Sequence, residues 1–244
     1  MKIIKILGLI SVSLLVLLNL SCEDVIDLKL NDADAVLIIE GNVTNINSTQ
    51  IVRISKSVSI TDNNKFNGVS GAIVTITDSE NRVFNLTEQP QFPGVYQTTN
   101  FRGRPTLTYF LKVISEGKEY KASSVMPAVV KLDSLGIVSN TFGNETERSI
   151  EAIYKDPLGT ANYYRFILWH NDVRLKGIYT YSDQFNDGKV ATAELDDLDV
   201  EIKQNDIVKV EMQCIDKNIY RYFEGLDQNE NRGGASTTPA NPVS

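Results

Sequence analysis

Only two cysteines and one histidine occur in the 244 residues. That shortage excludes a cysteine-rich zinc module and a disulfide-stapled miniprotein. Positive charge is also scarce: 24 Lys and Arg stand against 31 Asp and Glu, a net charge of −7. Nucleic-acid affinity comes mostly from cationic contacts to phosphate, so no nucleic-acid partner is expected. No apolar run reaches the roughly 18–20 residues that a spanning helix needs. There is no G-x-S-x-G nucleophile elbow, and the spacing of a calcium loop is missing. Apolar residues, at 42%, are plentiful enough to build a core and to exclude whole-chain disorder. The length suits one or two domains.

The first residues have the layout of an export signal. Lys2 and Lys5 form a positive start, and the apolar run from Ile6 to Leu18 has the length of a signal h-region. Leu18-Asn19-Leu20-Ser21-Cys22 then resembles a bacterial lipobox, with Asn19 where the strict pattern has an aliphatic residue. The resemblance implies cleavage after residue 21 and a diacylglycerol on Cys22. An ordinary secretory signal is the competing reading. Two or more acyl chains, at about 0.8 kcal/mol per buried CH₂, anchor a protein stably. Removing Lys2 and Lys5 lowers the net charge to −9, so a basic patch does not help the anchor. Glu23 and Asp24 follow the cysteine and resemble the surface-export signal of Bacteroidota outer-membrane lipoproteins; residues 22–34 read as an acidic tether.

From residue 35 the apolar residues recur with period two, the mark of antiparallel sheets. Strands are predicted over 36–44, 50–56, 71–78 and 82–87, from Gly94, around 109–113 and around 118–122. About seven short strands in 35–125 suit a β-sandwich. Residues 126–134 read as a linker, and a second β domain is predicted over 135–230. Its strand over 162–170 is apolar on both faces, which implies cover on both sides. At Asp216 the period changes to that of a helix, with Ile219, Tyr222, Phe223 and Leu226 on one face and Asp216 as cap. That helix is expected over about 216–227, before an irregular tail over 231–244. The fold class expected is mainly β, two consecutive Ig-like sandwiches with one short C-terminal helix.

Several stretches together carry a family resemblance. They are Glu40-Gly41-Asn42-Val43, Val69 to Val74, Pro93-Gly94-Val95-Tyr96, Tyr109-Phe110-Leu111 with Gly117 to Tyr120, Asp156-Pro157 with Asn162 to Arg165, and Asp216 to Phe223. In order and spacing they resemble the Bacteroidota lipoprotein family known as domain of unknown function 4249. The resemblance implies a carboxypeptidase-regulatory-like N-terminal sandwich and a role beside TonB-dependent outer-membrane transporters. It supplies no catalytic residue and no cofactor. The family looks as if it continues into a further strand beyond Ala240 to Ser244, so either a fragment or an open sheet edge is expected here.

Candidate site residues are few. Ser134, in Asp133-Ser134-Leu135, resembles an O-glycosylation sequon. Trp169, Tyr179 and Tyr181 are candidate ligand contacts that would stack on a glycan; core packing is the alternative. His170 lacks a second histidine and reads as a sheet-end residue. Cys214 reads as an inert core thiol. Asp183, Asp187, Glu194, Asp196, Asp197 and Asp199 read as a solvated acidic face rather than a calcium site, so no metal is assigned. The function expected is a non-catalytic, lipid-anchored accessory of a transporter; a stand-alone module binding a glycan or peptide is the alternative.

Overall fold

The computed structural model describes residues 35–58, 67–142, 145–196 and 200–231. The signal 1–21, Cys22, Glu23, Asp24, the tether and most of the expected tail lie outside the described residues. Strands dominate, and among the described residues no helix is long and apolar enough to cross a bilayer.

The first half contains β1 (Leu37–Asn42), β2 (Ser48–Lys56), β3 (Asn67–Gly68), β4 (Ile73–Asp78), β5 (Val83–Gln89), β6 (Phe92–Phe101), β7 (Thr108–Ser115) and β8 (Lys118–Val125). They pair antiparallel in the order β1-β2-β6-β5-β4-β7-β8, with β3 on β2. Val52 and Ile54 of β2 share one core with Val74 and Ile76 of β4 and Val113 of β7. Those strands are several places apart along the sheet, so the sheet curls over and closes on itself as a sandwich. The bend lies near β5 and β6, where the register shifts between Glu88 and Gln89. Glu88 secures it by accepting the backbone N–H groups of Gly71 at 2.9 Å and Gly94 at 3.0 Å. Gly94 has φ +77°, and a Cβ there would stand 2.3 Å from the Ile54 carbonyl oxygen, so only glycine fits. The seven expected strands are all present; the short β3 formed where the Asn67-Gly68 pair reads as loop.

The second half contains β9 (Leu132–Phe142), β10 (Glu145–Lys155), β11 (Tyr163–His170), β12 (Val173–Arg174), β13 (Tyr179–Ser182), β14 (Val190–Leu195), β15 (Val208–Ile215) and α1 (Lys217–Asn231). One sheet runs β14-β10-β9. The other has β11 at its centre, β12 and β13 on one side and β15 on the other. Their facing sides bury Ile150, Ala152, Tyr154, Tyr164, Phe166, Leu168, Ala193 and Leu195. The double cover expected for β11 is present. On its other face Tyr163 and Arg165 lie under α1: Tyr163 and Tyr220 have ring centres 5.0 Å apart, and the Arg165 guanidinium carbon sits 3.8 Å from the centre of the Phe223 ring. Asp216 caps the helix through Oδ1, which accepts the N–H groups of Asn218 at 2.7 Å and Ile219 at 3.0 Å.

The linker differs from expectation. Residues 132–134 are already strand, and Val130 is buried in the second core with its N–H 3.3 Å from Cys214 Sγ. Alternation begins there: Val130 and Leu132 turn inward and Lys131 outward, a pattern the proline and the polar Asp133-Ser134 pair obscured. Leu135 and Ile137 face the same side as buried Ala152 and Ile150, yet both are exposed, because β9 pairs with β10 alone among the described strands.

Candidate functional site

Strand alternation makes one broad surface on the first sandwich. Val74, Ile76, Leu86 and Val113 point into the core, so their neighbours point out. Asn85, Thr75, Lys112 and Lys121 line up across β5, β4, β7 and β8; Val83, Thr77, Phe110 and Ser123 form the adjacent row. Together they line a depression of about 850 Å³. Ile73 is 62% exposed at its border and Phe110 is 48% exposed within it. Thr75 Oγ1 donates to Asn85 Oδ1 at 3.4 Å.

Lys112 stands directly opposite Lys121, and like charges so placed destabilise a strand pair by up to about 1 kcal/mol. One carboxylate serves both. Glu119 lies 2.6 Å from Lys121 Nζ, and its carboxyl is held below its ordinary pKa by Lys121 first and Lys112 second. The surface is therefore apolar and hydroxyl-bearing with surplus positive charge. It is suited to acyl, sugar or side-chain contacts.

A second grouping lies in the other sandwich. Carboxylate oxygens of Asp156, Asp183 and Asp187 lie within 4.8 Å of one another. Asp156, after β10, accepts the Tyr164 hydroxyl through Oδ1 and the Gly188 N–H through Oδ2 at 3.3 Å. Asp183 accepts the Asn162 N–H at 2.8 Å, and Asp187 accepts the Gly159 N–H at 2.7 Å. Burial, and then Asp156, push the Tyr164 hydroxyl far above its ordinary pKa, so it stays a donor. Oxygen donors so close together suit a hard cation. As they stand, they clamp the loop 156–162 to the loop 183–189.

Asp187, Glu194 and Asp196 are exposed, as a solvated acidic stretch would be, and one member departs from that reading. Asp183 is buried rather than solvated. Glu194 turns away to accept the Ser149 hydroxyl at 2.7 Å, Asp196 receives the Tyr179 hydroxyl on its carbonyl, and Asp197 and Asp199 lie outside the described residues. Asp156 was missed: within Asp156-Pro157-Leu158-Gly159 it has the look of an ordinary turn residue, and only the fold brings it to Asp183.

The other sequence candidates are scattered. Tyr179 and Tyr181 face the core side of β13, with Tyr181 5.9 Å from the Phe166 ring. Trp169 is half-buried on the opposite face of β11, one residue out of phase with Leu168. The three rings therefore do not form a common stacking surface. Ser134 is exposed on the edge strand β9, opposite Ile153, and not in a loop. His170 Nε2 lies 2.8 Å from Asp206, which also accepts from Asn171 at 3.0 Å and from the Lys203 N–H at 2.7 Å. The Asn171 and His170 contacts hold the Asp206 carboxyl well below the carboxylate range. Cys214 is half-buried, and burial pushes its thiol up.

A family model described as Domain of unknown function (DUF4249) matches residues 23–243. The chain belongs to this family. The DUF4249 match spans both sandwiches and α1, so the two β units are parts of one family module. No curated protein matches this DUF4249 chain.

Proposed function

We propose that this DUF4249 chain is a non-catalytic lipoprotein of the Bacteroidota outer membrane. Diacylglycerol on Cys22 anchors it, and Glu23 and Asp24 direct it to the cell exterior. It serves there as an accessory to a TonB-dependent nutrient transporter. The observation that carries the reading is the broad outer face of β5, β4, β7 and β8. It presents Val83, Phe110, Lys112 and Lys121 on a rigid sheet rather than on a loop. Such a face suits a partner that must be held without chemistry.

Co-purification from native membranes in mild detergent tests the reading. A stoichiometric transporter is expected, lost on Phe110→Asp with Lys112→Glu. Labelling with radioactive palmitate is expected in the native chain and absent in Cys22→Ser. Isolation of the chain alone would overturn the transporter role. The stand-alone reading, a module binding a glycan or peptide, draws on the hydroxyl and amide side chains of Thr75, Asn85 and Ser123 around Phe110. Affinity on a glycan array without any co-purifying protein would favour it.

A further inference from the structure

A smaller cavity of about 490 Å³ opens elsewhere in the first sandwich, lined by Arg82, Phe84, Arg102, Arg104 and Pro105 over buried Phe101. Three of the nine arginines of an acidic chain converge on it. Its floor is aromatic: Phe84 stacks on Phe101 with ring centres 3.8 Å apart and planes 19° apart. The Arg82 guanidinium carbon lies 5.7 Å from the centre of the Phe84 ring.

Among the described residues, neighbouring carboxylates neutralise two of the three positive charges. Arg82 Nε donates to buried Asp78 at 2.6 Å, and burial of that carboxyl is outweighed by the Arg82 contacts, which hold its pKa low. Arg104 Nη1 pairs with Glu80 at 2.6 Å. Arg102 donates through Nε to the neutral Asn45 carbonyl at 2.9 Å, and no carboxylate of the described residues pairs with it. Its terminal fork is left for a further acceptor, and a guanidinium fork matches a carboxylate or phosphate in shape.

The arginine segment is fixed in place. The Gly103 N–H donates to the Thr44 carbonyl at 2.9 Å, and a Cβ on Gly103 would stand 2.4 Å from Met126 Cε. The Arg104 N–H donates to the Tyr109 hydroxyl at 2.6 Å. Thr106 has φ +69°, a left-handed conformation that costs a β-branched residue on the order of 1–3 kcal/mol. Its N–H is held by the Met126 carbonyl at 2.7 Å. These contacts hold the backbone that carries Arg102 and Arg104 in place before anything binds.

We infer that this cavity binds a small ring-bearing anion, whose carboxylate or phosphate meets the Arg102 and Arg104 forks and whose ring lies on Phe84. The volume falls in the range of small-molecule pockets. The site is independent of the lipid anchor and of any transporter, so its failure and theirs are separable.

Isothermal titration of the full chain in detergent tests it, with glucuronate, glucose 6-phosphate, inorganic phosphate and glucose as probes. Saturable binding of glucuronate or glucose 6-phosphate is expected, about tenfold tighter than glucose or inorganic phosphate. The stronger of the two acids distinguishes carboxylate from phosphate. Arg102→Gln should weaken that binding about tenfold while leaving the thermal midpoint unchanged, because its side chain is exposed. Arg102→Lys, which keeps the charge without the fork, should recover little of the loss. Phe84→Leu should bring the ring-bearing acid down to the level of inorganic phosphate. Absence of saturable heat with every anion up to about 10 mM, or unchanged affinity in Arg102→Gln, would overturn the inference.

Discussion

Removing the Tyr164 hydroxyl probes the inside of the second sandwich without opening a cavity. Tyr164 is 0% exposed and its partner Asp156 is 1% exposed. In Tyr164→Phe the Asp156 carboxylate loses its side-chain donor and retains the Gly188 N–H at 3.3 Å. A hydrogen bond to a charged group contributes about 1.5–3 kcal/mol, and a buried acceptor left bare costs about the same. In a chain of this size each kcal/mol shifts the thermal midpoint by about 2–4 °C, so Tyr164→Phe should lower it by about 3–12 °C. Asp156→Ala should cost at least as much, since it strands the hydroxyl and frees the Gly188 loop. The double variant then measures the pair itself, because both groups are gone. Urea unfolding of all four proteins, followed by far-ultraviolet circular dichroism, supplies the cycle. A coupling of about 1.5–3 kcal/mol is expected. A coupling within about 0.5 kcal/mol of zero would refute the claim that this bond ties Asp156 to β11.

Glu88 sets an acid limit on the first sandwich. Its carboxyl is held below the ordinary 4.5 by the Gly71 and Gly94 N–H groups, in that order. A depressed folded pKa adds stability that is complete above 4.5 and is lost as pH falls through the lowered value. Glu88→Gln should therefore flatten the acid side of the stability–pH curve, read by urea midpoints between pH 6 and about pH 3. Gly94→Ala should prevent folding of the first sandwich or cost more than about 3 kcal/mol, given the 2.3 Å approach to the Ile54 oxygen; native-like thermal unfolding would contradict that. Phe223→Ala should loosen α1 from β11, since the cation–π contact with half-buried Arg165 contributes about 0.5–2 kcal/mol beyond the lost apolar burial. Amide hydrogen exchange should then quicken in 217–228 while the β10 core stays protected.

Period and turn chemistry are local properties, and they were readable residue by residue. Alternation in Ala72-Ile73-Val74-Thr75-Ile76 already separates the core face from the outer face, because successive side chains of a strand point oppositely. The switch at Asp216 announced α1, since a side-chain acceptor at that position satisfies free N–H groups that any helix start must expose. The apolar run over 162–170 likewise announced a strand covered twice. What covers it was not legible: Phe223 meets Arg165 across 58 positions of sequence, and nothing local encodes that meeting.

The sites were less legible than the strands for the same reason. Asp156 reads as a turn residue until β10 and β13 bring it to Asp183. Trp169 and Tyr181 look like partners until alternation along β11 sends Trp169 to the other face. Arg82 and Arg102 are twenty residues apart and meet because β5 and β6 pair antiparallel, which sets the start of β5 beside the end of β6 at one cavity. By itself the sequence determined where the chain is apolar, where it turns and which face of each strand is buried, because backbone geometry imposes those periods locally. The tertiary structure alone decided which charges and rings share a site, because strand pairing across dozens of residues decides which side chains stand close enough to act together.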